Sequence, residues 1–167
     1  MSPDRRPQRS TKRPSPKPPS RTERRKVLEE AWGIEYFQRH EDDDPSRSVP
    51  AREFLAGCPK GVSSDLRAVV TAVADAPPPK FSGGGQWKAM HDSMRGWYEA
   101  RMMGPGKRLY RVFCLLERAA PGLDGPSVVL ITGMDKPNET AFSEADYARV
   151  RALGDEYRAR SPRSVLP

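Results

Sequence analysis

The segment 97–116, WYEARMMGPGKRLYRVFCLL, constrains the fold of this chain more than any other. Two runs of apolar and aromatic residues flank a Gly-Pro-Gly turn at 104–106, and turn residues between two such runs predict a β-hairpin. Successive side chains of a strand point to opposite faces of the sheet, so one face of the first strand carries every second residue. These residues are Trp97, Glu99, Arg101 and Met103.

The register of the predicted hairpin depends on the length of its loop. A three-residue loop of Gly-Pro-Gly pairs Glu99 with Arg111. A four-residue loop instead places Arg101 opposite Tyr110. The sequence leaves both registers open.

The hairpin is more basic than a core element usually is. Two acidic residues, Glu99 and Glu117, are outnumbered by six basic ones: Arg95, Arg101, Lys107, Arg108, Arg111 and Arg118. One interpretation is an ion pair between Glu99 and Arg111 on a solvated face, which stabilises a sheet by about 0.2–1 kcal/mol. The other is a concave basic face that binds a phosphodiester, because guanidinium groups match phosphate oxygens in a bidentate way.

The positive net charge of the chain comes from its N-terminal arm. The full sequence has 29 Lys and Arg residues, 22 Asp and Glu residues and a net charge of +7. Residues 1–26 hold ten of the basic residues, two of the acidic ones and six of the 18 prolines, but no aromatic residue. We therefore expect a disordered, Pro/Arg-rich arm at 1–26 and one folded domain at 27–167. Such an arm is either a solubilising tether or a source of electrostatic affinity for RNA.

Several classes of protein are disfavoured by the composition. No apolar run approaches the ~20 residues of a membrane span, and no apolar segment follows the basic N-terminus as in a secretory signal. Cys58 and Cys114 lie far apart in apolar surroundings, which favours reduced packing residues over a disulfide. The acidic run 41–44 has no further ligands at fixed spacing, so it predicts a solvated loop and no metal site. We expect a cytoplasmic protein without a metal or a cofactor.

The first half of the chain predicts a strand followed by two helices. Residues 22–31 favour a short helical turn, and residues 32–37 are aromatic and branched enough for a strand. Pro50 suits the first turn of a helix that Gly57 and Pro59 end. A second helix, which the prolines at 77–79 stop, carries an apolar stripe at helical spacing. The stripe consists of Val62, Leu66, Val69, Val70 and Val73.

The second half predicts strands and a closing helix. After a mobile glycine-rich loop at 80–85, strands are expected at 86–91, in the hairpin and at 127–132, where a continuous apolar run is typical of a central strand. Lys136 follows at the exit of that strand. A last helix begins at the N-cap Ser143, and its apolar stripe includes Tyr147 and Tyr157. This order predicts an α+β domain with a mostly antiparallel sheet, packed against two N-terminal helices.

This order of elements, with particular residues in it, resembles the RelE/ParE/HigB superfamily of type II toxins, in its phage-derived HigB-like branch. The resemblance covers about residues 32–160. It is carried by five short motifs: Pro-x-x-Glu-Phe-Leu at 50–55, Glu-x-Arg at 99–101, Tyr-Arg-Val-Phe at 110–113, the strand exit with Lys136, and Ala-x-x-Arg at 148–151.

The resemblance implies a small twisted sheet whose basic strands form the active face. Toxins of this kind usually cut mRNA in the ribosomal A site without a metal, by driving the 2′-hydroxyl onto the adjacent phosphate, and a cognate antitoxin neutralises them. Arg101 and Arg111 would then hold the scissile phosphate, and His91 and Lys136 would complete the catalytic set. RNA contacts are implied for four more cations: Lys88, Arg95, Lys107 and Arg108.

The identity of the general base and the function itself have alternatives. Because arginine does not deprotonate in proteins, the base is expected to be His91, Tyr110 or a lysine with a lowered pKa. The leading hypothesis is a cytoplasmic endoribonuclease toxin that inhibits growth, with mRNA, the ribosome and an antitoxin as partners. The alternatives are a ParE-like inhibitor that binds DNA gyrase and a catalytically inactive relative that binds nucleic acid.

Overall fold

The computed structural model of the chain describes residues 31–77 and 85–167. The predicted arm at 1–26 lies outside the described residues, as does the predicted helical turn at 22–31 except for Ala31. The predicted loop at 80–85 lies outside them too, except for Gly85. In the two described ranges, no helix combines the length and the apolar character that crossing a membrane requires.

The described ranges contain six strands and three helices. In chain order these are β1 (Gly33–Phe37), α1 (Pro50–Gly57), α2 (Lys60–Asp75), β2 (Trp87–Ala89), β3 (Tyr98–Gly104), β4 (Arg108–Glu117), β5 (Ser127–Pro137), α3 (Glu144–Ala159) and β6 (Val165–Leu166). Short 3₁₀ turns join β2 to β3 and β3 to β4, at Asp92–Met94 and Pro105–Lys107.

The strands form one mixed sheet in the order β2-β3-β4-β5-β1-β6. β1 runs parallel to β5, and the other four pairings are antiparallel. The predicted fold class, an α+β domain with a mostly antiparallel sheet, is confirmed. β5 is longer than the predicted 127–132, because residues 133–137 pair with the first half of β4. Lys136 therefore lies inside the strand and not at its exit.

Hydrophobic residues are buried on both faces of the sheet. On one face, α1 and α2 pack over strand residues such as Val128 and Leu130, and the whole stripe predicted for α2 is buried. On the other face, α3 packs over the intervening residues Val129 and Ile131. We call this second surface the α3 face. Two hydrophobic layers thus stabilise the sheet, and the predicted pair of N-terminal helices covers only one of them.

The register of the hairpin differs from both predicted alternatives. The loop consists of residues 105–107, and Gly104 remains in β3, where it pairs with Arg108. As a result, Arg101 lies directly opposite Arg111. The predicted pairings of Glu99 with Arg111 and of Arg101 with a tyrosine are both wrong.

The reason for the shifted register is the packing of Gly104. A Cβ atom at this position would lie 2.6 Å from the ring of Tyr110 and 2.8 Å from Val62 of α2. The glycine is therefore needed within the strand, where only a hydrogen fits. The left-handed backbone of the loop falls instead on Gly106 and Lys107, whose φ angles are 65° and 54°.

The start of α3 is fixed by a capping box. The side chain of Ser143 accepts a hydrogen bond from the backbone N–H of Asp146 at 3.1 Å, and the Asp146 carboxylate accepts one from the backbone N–H of Ser143 at 2.8 Å. The predicted N-cap is confirmed. Asp146 performs the role that Glu or Gln has in most capping boxes.

Gly154 lets α3 approach the sheet. A Cβ atom on this residue would lie 2.4 Å from the indole of Trp97, whereas a Cβ atom on Gly61 of α2 meets nothing within 4 Å. We expect Gly154→Ala to lower the free energy of unfolding by about 1–3 kcal/mol, because overpacking outweighs the gain in helix propensity. Gly61→Ala, the matched control, is expected to raise it by roughly 0.5 kcal/mol. Urea denaturation measures both changes, and a Gly154→Ala protein at least as stable as the parent would contradict this account.

Candidate functional site

A cleft lies on the α3 face, between the turn Asp92–Met94 and the first turn of α3, and its volume is about 300 Å³. Strands β2, β3 and β4 contribute its floor, because their alternate residues face this side of the sheet. The charged, titratable and aromatic side chains that line it are those of Lys88, His91, Asp92, Glu99, Arg111, Glu144 and Tyr147. The fold therefore brings together three cations or candidate bases that the sequence predicted separately.

Glu99 is a buried acid in this cleft. Its side chain is 4% exposed; it accepts a hydrogen bond from Arg111 at 3.0 Å, and a guanidinium nitrogen of Arg101 is 3.8 Å away. Because Arg101 and Arg111 lie opposite each other in the register, their like charges repel. The shared carboxylate offsets that repulsion. The ion pair between Glu99 and Arg111 is thus present, but it is diagonal and buried instead of solvated.

Arg111 is held from two sides. Besides its hydrogen bond to Glu99, its guanidinium carbon lies 4.8 Å from the centroid of the Phe142 ring, a cation–π contact. The side chain is 18% exposed, and its Nε has no hydrogen-bond partner among the described residues. Since arginine stays charged, Arg111 is a restrained and partly exposed cation in the cleft.

Arg101 lies beside the cleft. Its Nε donates a hydrogen bond to the carbonyl oxygen of Gly85 at 2.6 Å, and about a third of its side chain is exposed. The Glu99 carboxylate contacts Arg101 more loosely than it contacts Arg111. Arg101 therefore adds positive charge at the border of the cleft, next to the residues that line it.

Lys136 is committed to an ion pair. Its Nζ lies 2.5 Å from the Asp146 carboxylate and 5.2 Å from the centroid of the Phe142 ring. The hydrogen bond from Lys136, followed by those within the capping box, holds the pKa of Asp146 well below its ordinary value. Lys136 consequently joins β5 to the start of α3, and the structure does not place it in the cleft.

The remaining predicted cations are spread over the molecule. Lys88 and His91 are exposed and line the cleft, whereas Arg95 and Lys107 are exposed in turns and do not. Arg108 hydrogen-bonds to Asp135 at 2.7 Å, and it lies on the other face of β4 from Arg111 because the two are three residues apart. The positive charge of the hairpin is therefore divided between the two faces of the sheet.

The tyrosines separate into core and cleft residues. Tyr110 and Tyr157 are buried, and burial raises the pKa of the Tyr157 hydroxyl, so neither is suited to act as a base. Tyr147 was predicted to be structural, and it does pack against Phe113 and Phe142. It is nevertheless only half-buried and also lines the cleft. The position of Tyr147 on the apolar stripe of α3 does not indicate that its side chain also lines a cleft.

The described residues contain neither a metal-binding cluster nor an activated cysteine. No group of three or more His, Cys, Asp or Glu residues in 31–77 and 85–167 is placed to hold a metal ion. Both cysteines are free, and burial raises the pKa of each thiol. The cleft on the α3 face is therefore the candidate site.

No protein-family model matches this chain, and neither does any curated protein or solved structure. The resemblance to the toxin superfamily stays a prediction.

Replacing Glu99 tests the buried ion pair. We expect Glu99→Gln to lower the free energy of unfolding by about 1–3 kcal/mol, because two facing arginines lose their shared counter-charge while remaining partly solvated. Adding Arg111→Met to this variant is expected to recover part of the loss, since the repulsion disappears. Urea denaturation of the two single variants and the double variant gives the coupling. Strictly additive losses would contradict the proposed role of Glu99.

Acid stability tests Asp146. Its pKa in the folded protein lies below the unfolded value of about 3.9, so its contribution is complete above that pH and is lost as the pH falls toward the folded pKa. We expect Asp146→Asn to be less stable than the parent at pH 7, with a smaller difference at pH 3. Asp65→Asn, which removes an exposed aspartate of α2, is the control. A difference from the parent that is the same at both pH values would contradict the ion pair.

Proposed function

We propose that this protein is the toxin of a type II toxin–antitoxin system and that it cleaves mRNA as a metal-independent endoribonuclease. The observation that carries the proposal is the restrained guanidinium of Arg111, in a cleft that it shares with Lys88 and His91. The resemblance implies catalytic roles for Arg111 and His91 and an RNA contact for Lys88. Their common location supports the proposal.

Arg111 suits a scissile phosphate because its charge is permanent and its position is restrained. Glu99 and Phe142 hold the guanidinium before substrate arrives, so little reorganisation is needed at the moment of reaction. The guanidinium has further N–H donors besides the one that bonds to Glu99, and 18% of the side chain is exposed. Fixed donors directed at developing charge lower a barrier by about 2.7–4 kcal/mol each.

In the proposed reaction, the ribose 2′-hydroxyl attacks the adjacent phosphorus and displaces the 5′-oxygen of the next nucleotide. His91 takes the proton of the hydroxyl, and the ammonium of Lys88 gives a proton to the leaving oxygen. The products are a 2′,3′-cyclic phosphate and a 5′-hydroxyl. Arg111 stabilises the negative charge that grows on the phosphate oxygens.

His91 is the best base among the candidates named from the sequence. Tyr110 is buried on the opposite face of β4, and Lys136 is held by Asp146. His91 is exposed at the cleft, where a substrate hydroxyl has access to it. Histidine is also the side chain whose ordinary pKa is nearest to neutral pH.

The overall architecture is compatible with the proposal. A small mixed sheet is packed against two N-terminal helices on one face, and the hairpin strands β3 and β4 present Arg101 and Arg111 on the other. We propose that the toxin acts in the cytoplasm on ribosome-associated mRNA, that it inhibits growth, and that a cognate antitoxin neutralises it. No small-molecule cofactor or membrane partner is part of this proposal.

A cell-free translation reaction tests the cleavage. The purified protein is added with and without ribosomes, and new mRNA 5′ ends are mapped. We expect codon-phased cuts that Arg111→Ala reduces by at least about 100-fold and that His91→Gln reduces similarly. Arg67→Ala, which removes an exposed arginine from α2 on the opposite side of the sheet, is expected to leave the cuts unchanged. Circular dichroism of each variant checks that the fold is retained.

Three results would contradict the proposal or limit it. Full cleavage by Arg111→Ala would remove the proposed site. Cuts that do not depend on ribosomes would indicate a free ribonuclease. The absence of cuts, together with inhibition of DNA gyrase supercoiling, would favour a gyrase-binding toxin.

A further inference from the structure

The cleft contains acidic residues that the binding of a phosphate does not require. Besides Glu99, which is bonded to Arg111, its lining includes Asp92 and Glu144. Glu144 bonds to Arg151 and to Ser93 at 2.9 Å, and these bonds lower its pKa. Asp92, by contrast, is exposed. Its carboxylate oxygens are therefore open to accept hydrogen bonds from donor groups of a ligand.

Asp92 has a defined position in the cleft. It begins the 3₁₀ turn between β2 and β3, which is closed by hydrogen bonds from Met94 to the His91 carbonyl at 3.0 Å and from Arg95 to the Asp92 carbonyl at 3.2 Å. Its φ angle is 52°, in the left-handed region that aspartate adopts more readily than most residues. The carboxylate is thus carried by an ordered turn.

Tyr147 supplies an aromatic surface in the same cleft. Its ring lies edge-to-face with Phe113, at 6.4 Å and 87°, and 6.0 Å from Phe142, so its orientation is fixed by packing. A nucleobase can stack on such a ring, and removal of a stacking ring weakens binding by about tenfold or more. The cleft volume of about 300 Å³ lies at the small end of ligand sites, which fits one nucleotide.

We propose that the cleft binds one guanine nucleotide of the RNA substrate, with its base against Tyr147, its Watson–Crick edge on Asp92 and its phosphate on Arg111. This inference rests on the proposed endoribonuclease function and names the base that the site selects. The N1–H and N2–H groups of guanine are adjacent donors, and they match the two oxygens of a carboxylate.

The other bases match Asp92 less well. Adenine and cytosine present a ring acceptor next to their amino group, so one carboxylate oxygen meets another acceptor. Uracil presents a single donor between two carbonyl oxygens. A bidentate pair of this kind discriminates against the wrong base by about 1–3 kcal/mol, which corresponds to roughly tenfold or more in affinity.

Isothermal titration of the full chain with guanosine 3′-monophosphate and uridine 3′-monophosphate tests the inference. We expect the parent to bind the guanine nucleotide at least about tenfold more tightly. Asp92→Asn is expected to abolish that preference without changing the affinity for the uridine nucleotide. Tyr147→Leu, which keeps apolar volume but has no ring, is expected to weaken both by about tenfold. Asp65→Asn on α2 serves as the control and is expected to retain the preference.

Equal affinities in the parent, binding of neither nucleotide, or a preference that survives Asp92→Asn would overturn the inference. The mRNA cleavage assay separates it from the proposed function. Cuts without a preference for guanine would leave the endoribonuclease in place and overturn the guanine site. Guanine-selective binding without any cuts would support the site and contradict the nuclease.

Discussion

The arrangement of the α3 face depends on one buried carboxylate. The pairing of β3 with β4 brings Arg101 and Arg111 into direct opposition, and Glu99 is the acid that lies between their guanidinium groups. Burying Glu99 costs desolvation free energy, and the two arginines return part of it. The consequence is specificity, because a hairpin shifted by one residue would place Arg111 on the opposite face of the sheet from Glu99 and Arg101.

A second set of contacts connects this ion pair to the closing helix. Phe142 contacts both Arg111 and Lys136 through cation–π interactions, and Lys136 binds the carboxylate that also caps α3. Contacts of Phe142 and Lys136 therefore connect the cleft to the end of β5 and to the first turn of α3. A substitution that disturbs the cap of α3 is therefore expected to alter the position of the Arg111 guanidinium, because only the Phe142 ring lies between Lys136 and Arg111 in this set of contacts.

The sequence predicted the elements well, because their signals are local. The apolar stripe of α2, the N-cap Ser143 and the apolar strand at 127–132 can each be read from spacing alone. The hairpin register could not be predicted, since it depends on the packing of Gly104 against a ring and a helix distant in sequence. Likewise, the ion pair of Lys136 depends on where α3 begins, and the dual role of Tyr147 depends on how much of its ring the cleft exposes. The separation of Arg108 from Arg111, however, follows from strand alternation and was available from the sequence.

The two outermost strands also influence how this protein behaves at high concentration. β2 has three residues and β6 has two, so the strands that form the two edges of the sheet are themselves very short. Long exposed edges template intermolecular pairing and aggregation, and short ones do so poorly. The long, apolar strands β4 and β5 are both interior to the sheet. These two segments are therefore available for pairing with a second molecule only when the sheet unfolds.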